Sequence, residues 1–435
     1  MNTVLANLMS QEGHRQISNY VHLTCGEAIG IDHGDGANGD EYSLLMQEVD
    51  ILLEKGFPLG LALMMGEMDQ SFLREINRIV KIQADYISWV VSGPFVIAVF
   101  HQRLFTELQS MWLLVADSAD AACGVVFSAG CKDHDKLLLA ARIALHRAIA
   151  RGVNLLVLDS GAAAQAVDDH AIGLTMRKQL ASGSKDFEAY YQPQVVIKSA
   201  IPCGAEALAR WHPDNEEISP SRFIPIAEEA GLIGEIGELM FTLSAQTINV
   251  MRRSGIEIPY IAVNVSPLQS RQGDLLRLIQ AILRSENLMP SDIEIEITES
   301  LAGSGGDEFR RWLLELSAAG FHIAIDDFGT GTSTLARICE IPARTIKLDR
   351  AFVSPLPDDS AARAVCRSAL ELVHALGKTS LAEGVELGSQ ASYLSSLGCA
   401  MGQGFHWARP MAENDLIDWW HCALTGNGLQ TRVMT

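Results

Sequence analysis

No CxxC pair occurs in this 435-residue chain, and its eight cysteines (Cys25, Cys123, Cys131, Cys203, Cys339, Cys366, Cys399 and Cys422) are scattered. For this length that argues for free, often buried thiols and against a disulfide framework. Cations are scarce: 33 Lys and Arg face 53 Asp and Glu, a formal net charge of -20. A non-specific grip on nucleic-acid backbone or anionic lipid is therefore excluded, although a small anionic ligand stays open because a site can bring its own cations. No apolar run approaches a membrane span; PLGLALMM at 58–65 is among the longest. The opening MNTVLANLMS has no basic n-region, and Asn breaks its apolar stretch. These absences lead to the expectation of a soluble, cytoplasmic protein. What remains is ordinary globular composition, 48% hydrophobic and 20% charged, with length for two or three domains.

Residues 1–40 are punctuated by Gly, Asp and Asn and read as a loose arm. EYSLLMQEVDILLEKG has helical spacing, PLGLALMM reads as a buried strand, and DQSFLREINRIVKIQ reads as a helix. ISWVV and PFVIAVF suit two strands around a Ser92-Gly93 turn, followed by a strand in ACGVVFSAG, the amphipathic helix DHDKLLLAARIALHRAIARG and a strand in VNLLVLD. Together they predict a small α/β or α+β domain over 41–162 with one sheet. SGAAAQAVDD then looks like the start of a linker, with a short helix in IGLTMRKQLA, over 163–185.

From 186 to 425 the pattern lengthens. Strands are expected in FEAYYQPQVVI, GAEALAR, YIAVNVS, DIEIEITE, FHIAIDD, RTIKLD, TSLAEGV and AMGQGFH, most of them separated by helical stretches. Eight strands in this length fit a (β/α)8 TIM-like barrel. The connection VIKSAIP is too short for a crossover helix, so the first strand should pair antiparallel with the second. The last residues, 426–435, read as a tail.

Acids and amides recur where these strands end. Glu206 lies in GAEALAR, Asn264 in VNVSP, Glu296 and Glu299 in EIEITES, Asp326 and Asp327 in IAIDDFGTG, Glu383 and Glu386 in LAEGVE, and Gln403 in MGQGF, with Lys347 in IKLD as the one cation of the set. In a barrel such positions fall on the C-terminal face. A lone strand-end acid is usually a cap or surface ion pair, and DD before FGTG suits a turn, but a turn does not explain five strands ending in polar oxygens. So many carboxylates around one lysine cannot all stay ionised uncompensated; some take protons, hydrate outward or bind divalent cations. Oxygen ligands suit Mg²⁺ or Mn²⁺, and the adjacent Asp326-Asp327 pair suits a two-metal centre for phosphoryl chemistry.

Residues of about 172–422 resemble the EAL domain, the family of cyclic di-GMP phosphodiesterases. The resemblance is carried, in order, by YYQP, EALAR, SPSRFIPIAEEAGLI, VNVSP, EITES, DDFGTGTSTL, IKLDRAFV, AEGVE and GCAMGQGF. It implies the same barrel with an antiparallel first strand. It implies metal ligation by Glu206, Asn264, Glu296 and Asp326, with Asp326 bridging and Asp327 and Glu383 serving a second ion or its water. It places Lys347 near the nucleophilic water, Glu299 under the loop after Asp327, and Gln403 in the site lining. Gln192, Leu208, Arg210 and Glu386 are implied as dinucleotide contacts. The implied reaction opens cyclic di-GMP to linear pGpG with two Mg²⁺ or Mn²⁺ ions, and the implied assembly is a homodimer.

One departure stands in DFGTGTSTL, where Thr332 and Thr334 replace the family's usual aromatic and serine. The first domain more faintly resembles a GGDEF domain, with Ser92-Gly93-Pro94-Phe95 where that family carries its acidic signature, and with Glu67 and Asp69 as poor substitutes for its other acid. Cyclase activity is not expected; a packing role or a docking module for a regulatory protein is. Competing readings are a cyclic di-GMP receptor without turnover, a scaffold, and an unrelated barrel hydrolase such as a glycosidase.

Overall fold

The computed structural model describes residues 20–24, 59–65, 87–92, 95–101 and 121–425, the last with gaps at 129–130, 132, 184, 271–274, 305 and 330–339, besides single positions within 47–54 and 105–112. The expectations for a helix over 69–83, for Glu67 and Asp69, for Thr332 and Thr334, and for the tail lie outside the described residues. The chain divides into two compact units, Met1–Ile172 and Gly173–Thr435.

The first unit holds a six-stranded sheet. Its strands are β1 (Tyr20–Thr24), β2 (Leu59–Met65), β3 (Ile87–Ser92), β4 (Phe95–His101), β5 (Ala122–Phe127) and β6 (Leu155–Leu158), in the order β1-β3-β4-β2-β5-β6. Strand β1, inside the segment read as an arm, runs antiparallel along β3. Strands β3 and β4 pair antiparallel, with Ser92 opposite Phe95. Strands β5 and β6 are parallel, and the helix His134–Arg151 supplies the crossover. Asp133 caps its N-terminus by accepting from the Asp135 and Lys136 amides, and Gly152 ends it in the left-handed region at φ 63°. The apolar stripe of that helix, including Leu137, Ala141, Ala144, Leu145 and Ala148, is buried in a cluster with Leu61, Leu63, Val99 and Val126.

The segment expected to begin a linker is helical instead: Ser160–Ala181 is one helix of 22 residues. Its alanine-rich start has the best intrinsic helix propensity, and Asp159 accepts from the Ala162 amide at 2.8 Å.

The second unit closes a barrel from β7 (Phe187–Val196), β8 (Ile201–Trp211), β9 (Ile261–Asn264), β10 (Ile293–Thr298), β11 (His322–Phe328), β12 (Thr345–Leu348), β13 (Thr379–Ala382) and β14 (Met401–Gln403). These are the eight expected strands. Strand β7 runs antiparallel to both neighbours, with Gln192 opposite Glu206 on β8 and Gln194 opposite Gln403 on β14. All other neighbours are parallel. Strands covered on both faces read as near-continuous apolar runs, and Ile261–Val263 and Ile323–Ile325 are buried throughout. Polar residues inside such runs must therefore face the barrel interior or its mouth. Among the described residues no helix is long and apolar enough to cross a membrane.

Candidate active site

All eight strands contribute a polar side chain to one layer of the barrel. Strand β8 brings Glu206, β9 Asn264, β10 Glu296, β11 Asp326 and β12 Lys347; β13 leads into Glu383, β14 ends at Gln403, and β7 adds Gln192, with Gln194 one step beneath it, opposite Gly204. The registers Glu296↔Asn264, Asp326↔Thr298 and Gln192↔Glu206 put them near one level. Because strand side chains alternate, Glu206, Leu208 and Arg210 share a face and rise in steps from the layer toward the C-terminal mouth.

Lys347 is the hub. It has no exposed surface, and its Nζ lies 2.8 Å from Glu383 Oε1, 2.9 Å from Glu296 Oε2, 3.3 Å from Asp326 Oδ1 and 3.4 Å from Glu206 Oε2. Burial alone would lower the lysine pKa, but Asp326, Glu206, Glu296 and Glu383 hold it well above the usual value. Four acids crowd one cation, and three of them, Glu296, Glu383 and Glu206, are shifted from the ordinary carboxylate value. Burial, then Glu206, pushes Glu296 well up. Burial raises Glu383 to about 8 despite Lys347. In Glu206 the upward push of burial is outweighed by Lys347 and by hydrogen bonds from Gln403 and Asn264, so it titrates below the ordinary carboxylate. Those bonds are Gln403 Nε2 to Glu206 Oε2 at 2.6 Å and Asn264 Nδ2 to Glu206 Oε1 at 2.7 Å.

Adjacent strand residues normally face opposite sides, so a DD pair should send one acid away from the site. Here the β11–β12 register shifts between Ile325 and Phe328, and Asp327 takes φ 56°. Bulges beside active sites re-aim side chains in this way, and Asp tolerates the left-handed region. The result is two carboxylate triads, each with ligand oxygens within 4.8 Å of one another: Glu206, Glu296 and Asp326, and Asp326, Asp327 and Glu383. Asp326 belongs to both. Burial, followed by Asp326 and Asp349, raises the Asp327 carboxyl. The residues fit divalent cations: the donors are hard oxygens, the negative charge is undercompensated, and Glu296 Oε1 is buried without a hydrogen-bond partner.

The other expected residues surround this centre. Glu299 is buried and accepts from the Gly329 amide at 2.6 Å, beneath the turn that follows Asp327. Gln192 accepts from Gln403 Nε2 at 3.0 Å and donates to the Ala408 carbonyl. Arg210 stacks its guanidinium on the Tyr190 ring, 5.2 Å from the centroid, and lies 3.7 Å from Glu217. Leu208 is half-buried opposite Tyr190. Glu386 stands apart from the triads, on an exposed ion pair with Arg350 at 2.8 Å. Sequence reading missed Gln194, Tyr260 and Gln390. Gln390 is buried and uses all its amide capacity, accepting from the Glu386 and Leu387 amides and donating to the Val353 and Ser354 carbonyls. It ties the loop after Glu383 to the segment after Lys347. The cap position there is Leu387 in place of a Ser, Thr, Asp or Asn, and a glutamine three residues into the helix was the available hint.

The family model described as the EAL domain matches residues 176–410. The chain belongs to the EAL domain family. Two relatives of the EAL barrel come from Pseudomonas aeruginosa. Cyclic di-GMP phosphodiesterase RocR is 38% identical over 235 residues, covering 54% of this chain and 60% of that protein. The bifunctional diguanylate cyclase/cyclic di-GMP phosphodiesterase MucR is 38% identical over 229 residues, covering 52% of this chain and 33% of that protein. The chain thus spans a third to three-fifths of the length of these curated relatives. Among solved structures, the PaMucR phosphodiesterase in complex with c-di-GMP matches at 36% identity with TM-score 0.54, covering 56% of this chain and 99% of that one.

Proposed function

We propose that the EAL barrel hydrolyses cyclic di-GMP to linear pGpG with the help of two divalent cations, Mg²⁺ or Mn²⁺. The observation that carries this is the pair of carboxylate triads sharing Asp326 beside the buried ammonium of Lys347. Glu206, Asn264, Glu296 and Asp326 would hold one ion, and Asp326, Asp327 and Glu383 the other. Bound there, the ions polarise phosphoryl oxygens and lower the pKa of water.

The protein's own groups divide the remaining work. Lys347 offsets the negative charge of the acids and orients the attacking water by a donated hydrogen bond. Glu383, beside Lys347 at 2.8 Å and at the edge of the second triad, would accept the water's proton. That proton ends on the 3′-oxygen released when the phosphorus–oxygen bond breaks, which opens the ring. Arg210 pairs with a phosphate through its planar fork, and Gln192, Leu208, Gln403 and Glu386 contact the dinucleotide. Glu299 holds the turn at Gly329 and so keeps Asp327 in place.

Incubating the purified protein with cyclic di-GMP and Mn²⁺, with and without chelator, and resolving products by chromatography tests the reading. Linear product that vanishes with chelator is the expected result. Tight binding without product would make the barrel a receptor instead.

We further read residues 41–162 as a degenerate GGDEF-like domain, the connection over 163–185 as mostly the helix Ser160–Ala181, and 186–425 as the catalytic domain of a cytoplasmic homodimer. Support for the first domain's reading is its antiparallel β3–β4 pair, with Ser92 opposite Phe95, and the helix-linked parallel pair β5–β6. The absence of an acid in Ser92-Gly93-Pro94-Phe95 argues against cyclase chemistry and leaves a packing role or a docking role for a regulatory protein.

A further inference from the structure

Beneath the carboxylate layer, a run of buried side chains connects Glu206 to the body of the barrel. Gln403 Nε2 donates to Glu206 Oε2 at 2.6 Å. Gln403 Oε1 accepts from Gln194 Nε2 at 3.0 Å. Gln194 Oε1 accepts from the Tyr260 hydroxyl at 2.7 Å. Gln194 has no exposed surface, Gln403 is 4% exposed and Tyr260 9%.

The direction of this relay follows from its upper end. An ionised carboxylate only accepts hydrogen bonds. If Gln403 turned its amide over, its carbonyl would face the Glu206 oxygen, and Gln194 would have to turn as well. A relay aimed at Glu206 therefore needs a donor at the far end to satisfy Gln194 Oε1, and the Tyr260 phenol is that donor. A phenylalanine there would leave a buried carbonyl unpaired and remove one of the two constraints on the Gln403 amide, the other being Gln192, which accepts from Gln403 Nε2 at 3.0 Å.

The backbone is shaped to admit the phenol. Gly204 on β8 sits opposite Gln194 in register, and a Cβ on it would come within 2.6 Å of the Tyr260 ring. Gly in a strand interior commonly marks such a close approach. Strand β8 also carries Glu206, so one strand positions both ends of the relay.

We propose that Tyr260 and Gln194 are positioning residues for the metal centre: through Gln403 they lock the Glu206 carboxylate in the rotation that presents it to a divalent cation. This rests on the two-ion reading above. Outer partners of metal ligands orient them, and their loss typically weakens metal binding by about 10–100-fold.

The test measures Mn²⁺ binding to the chelator-stripped full chain by calorimetry and by electron paramagnetic resonance, without substrate. Tyr260→Phe, Gln194→Met and Gly204→Ala are compared with Thr345→Val. Thr345 donates to Glu294 at 2.9 Å inside the same barrel but takes no part in the relay. Each of the three relay variants is expected to weaken Mn²⁺ binding by about tenfold, while Thr345→Val leaves it unchanged. In turnover, the Mn²⁺ concentration for half-activity should rise by the same factor, with kcat regained at saturating Mn²⁺. Circular dichroism checks folding, and Gln194→Met, close to isosteric, carries the test where Gly204→Ala distorts the strand. Native-like Mn²⁺ affinity in folded Tyr260→Phe and Gln194→Met overturns the relay alone. Equal weakening in Thr345→Val also overturns it, because the effect would then belong to barrel stability. No Mn²⁺ binding by the unaltered protein overturns the relay and the two-ion reading together.

Discussion

Among the described residues of the first unit, Ser128 is the one buried polar side chain, whereas the second unit buries Glu206, Glu294, Glu296, Glu299 and Lys347. The first interior is thus a packing solution: apolar faces of a sheet and a helix meet, and the lone hydroxyl accepts from the Leu59 amide at 2.9 Å. The second gathers like charges at close range, an arrangement that costs stability unless compensated. Folding physics alone does not assemble four acids on one lysine. Local departures from the best core mark sites of function.

The largest effect should come from the residue shared by both triads. Asp326→Ala removes a ligand from each, so turnover of cyclic di-GMP is expected to fall by roughly a thousandfold or more, about 4 kcal/mol of transition-state stabilisation. Steady-state product chromatography at saturating Mn²⁺ measures it. Retained activity would erase the contrast between the two interiors by making the acid cluster a passive one.

Next comes the hub. Lys347→Met leaves Glu206, Glu296, Asp326 and Glu383 facing one another without their cation. Breaking a buried ion pair by removing one partner costs about 3–5 kcal/mol. Denaturant unfolding in chelator should show a loss of that order, and added Mn²⁺ should narrow it by supplying positive charge to the same oxygens. A loss identical with and without Mn²⁺ would mean that the cluster does not see the metal.

The acids also give the barrel a pH dependence. Glu383 titrates at about 8 in the folded, metal-free protein, raised by burial first, against an ordinary value of 4.5. Between those values the folded state keeps a proton that the unfolded state has released. Stability contributed at low pH is therefore lost as pH rises from about 4.5 through about 8, and it levels off beyond. Glu383→Gln should flatten this part of the profile in chelator, as should saturating Mn²⁺ in the unaltered protein. Thermal unfolding across pH 5–9 (a window chosen about these pKa values) reads both.

Much of this was legible in the sequence, and the limits are physical. The eight strands showed as apolar runs of strand length between helical stretches, and the short VIKSAIP connection forced the antiparallel pair β7–β8. The acids of the two triads showed because carboxylates at strand ends are conspicuous against those runs. Two things did not show. The adjacency of Asp326 and Asp327 conflicts with strand alternation until the bulge and the φ of 56° are seen. Gln194, Tyr260 and Gln390 look like ordinary surface polar residues in a linear reading, since nothing local distinguishes an outward amide from one that closure of the barrel turns inward. The long helix Ser160–Ala181 escaped for the opposite reason: its small residues resemble a linker, and its alanines favour the helix.

The smallest predicted effect concerns the first unit and isolates what its interior is for. In Ser128→Ala the buried amide of Leu59, a residue 2% exposed, loses the oxygen it donates to. An unpaired buried donor costs about 1–3 kcal/mol. The backbone bond from the Ser128 amide to the Leu59 carbonyl at 2.8 Å survives, so the strand end stays in place and the cost falls toward the lower end of that range. No carboxylate, cation or amide of the barrel layer is touched. The unfolding midpoint of the first unit should therefore drop while kcat and the Mn²⁺ requirement stay at the unaltered values. A change in the Mn²⁺ requirement would show that the apolar interior also tunes the metal centre, and the division of labour between the two interiors would have to be abandoned.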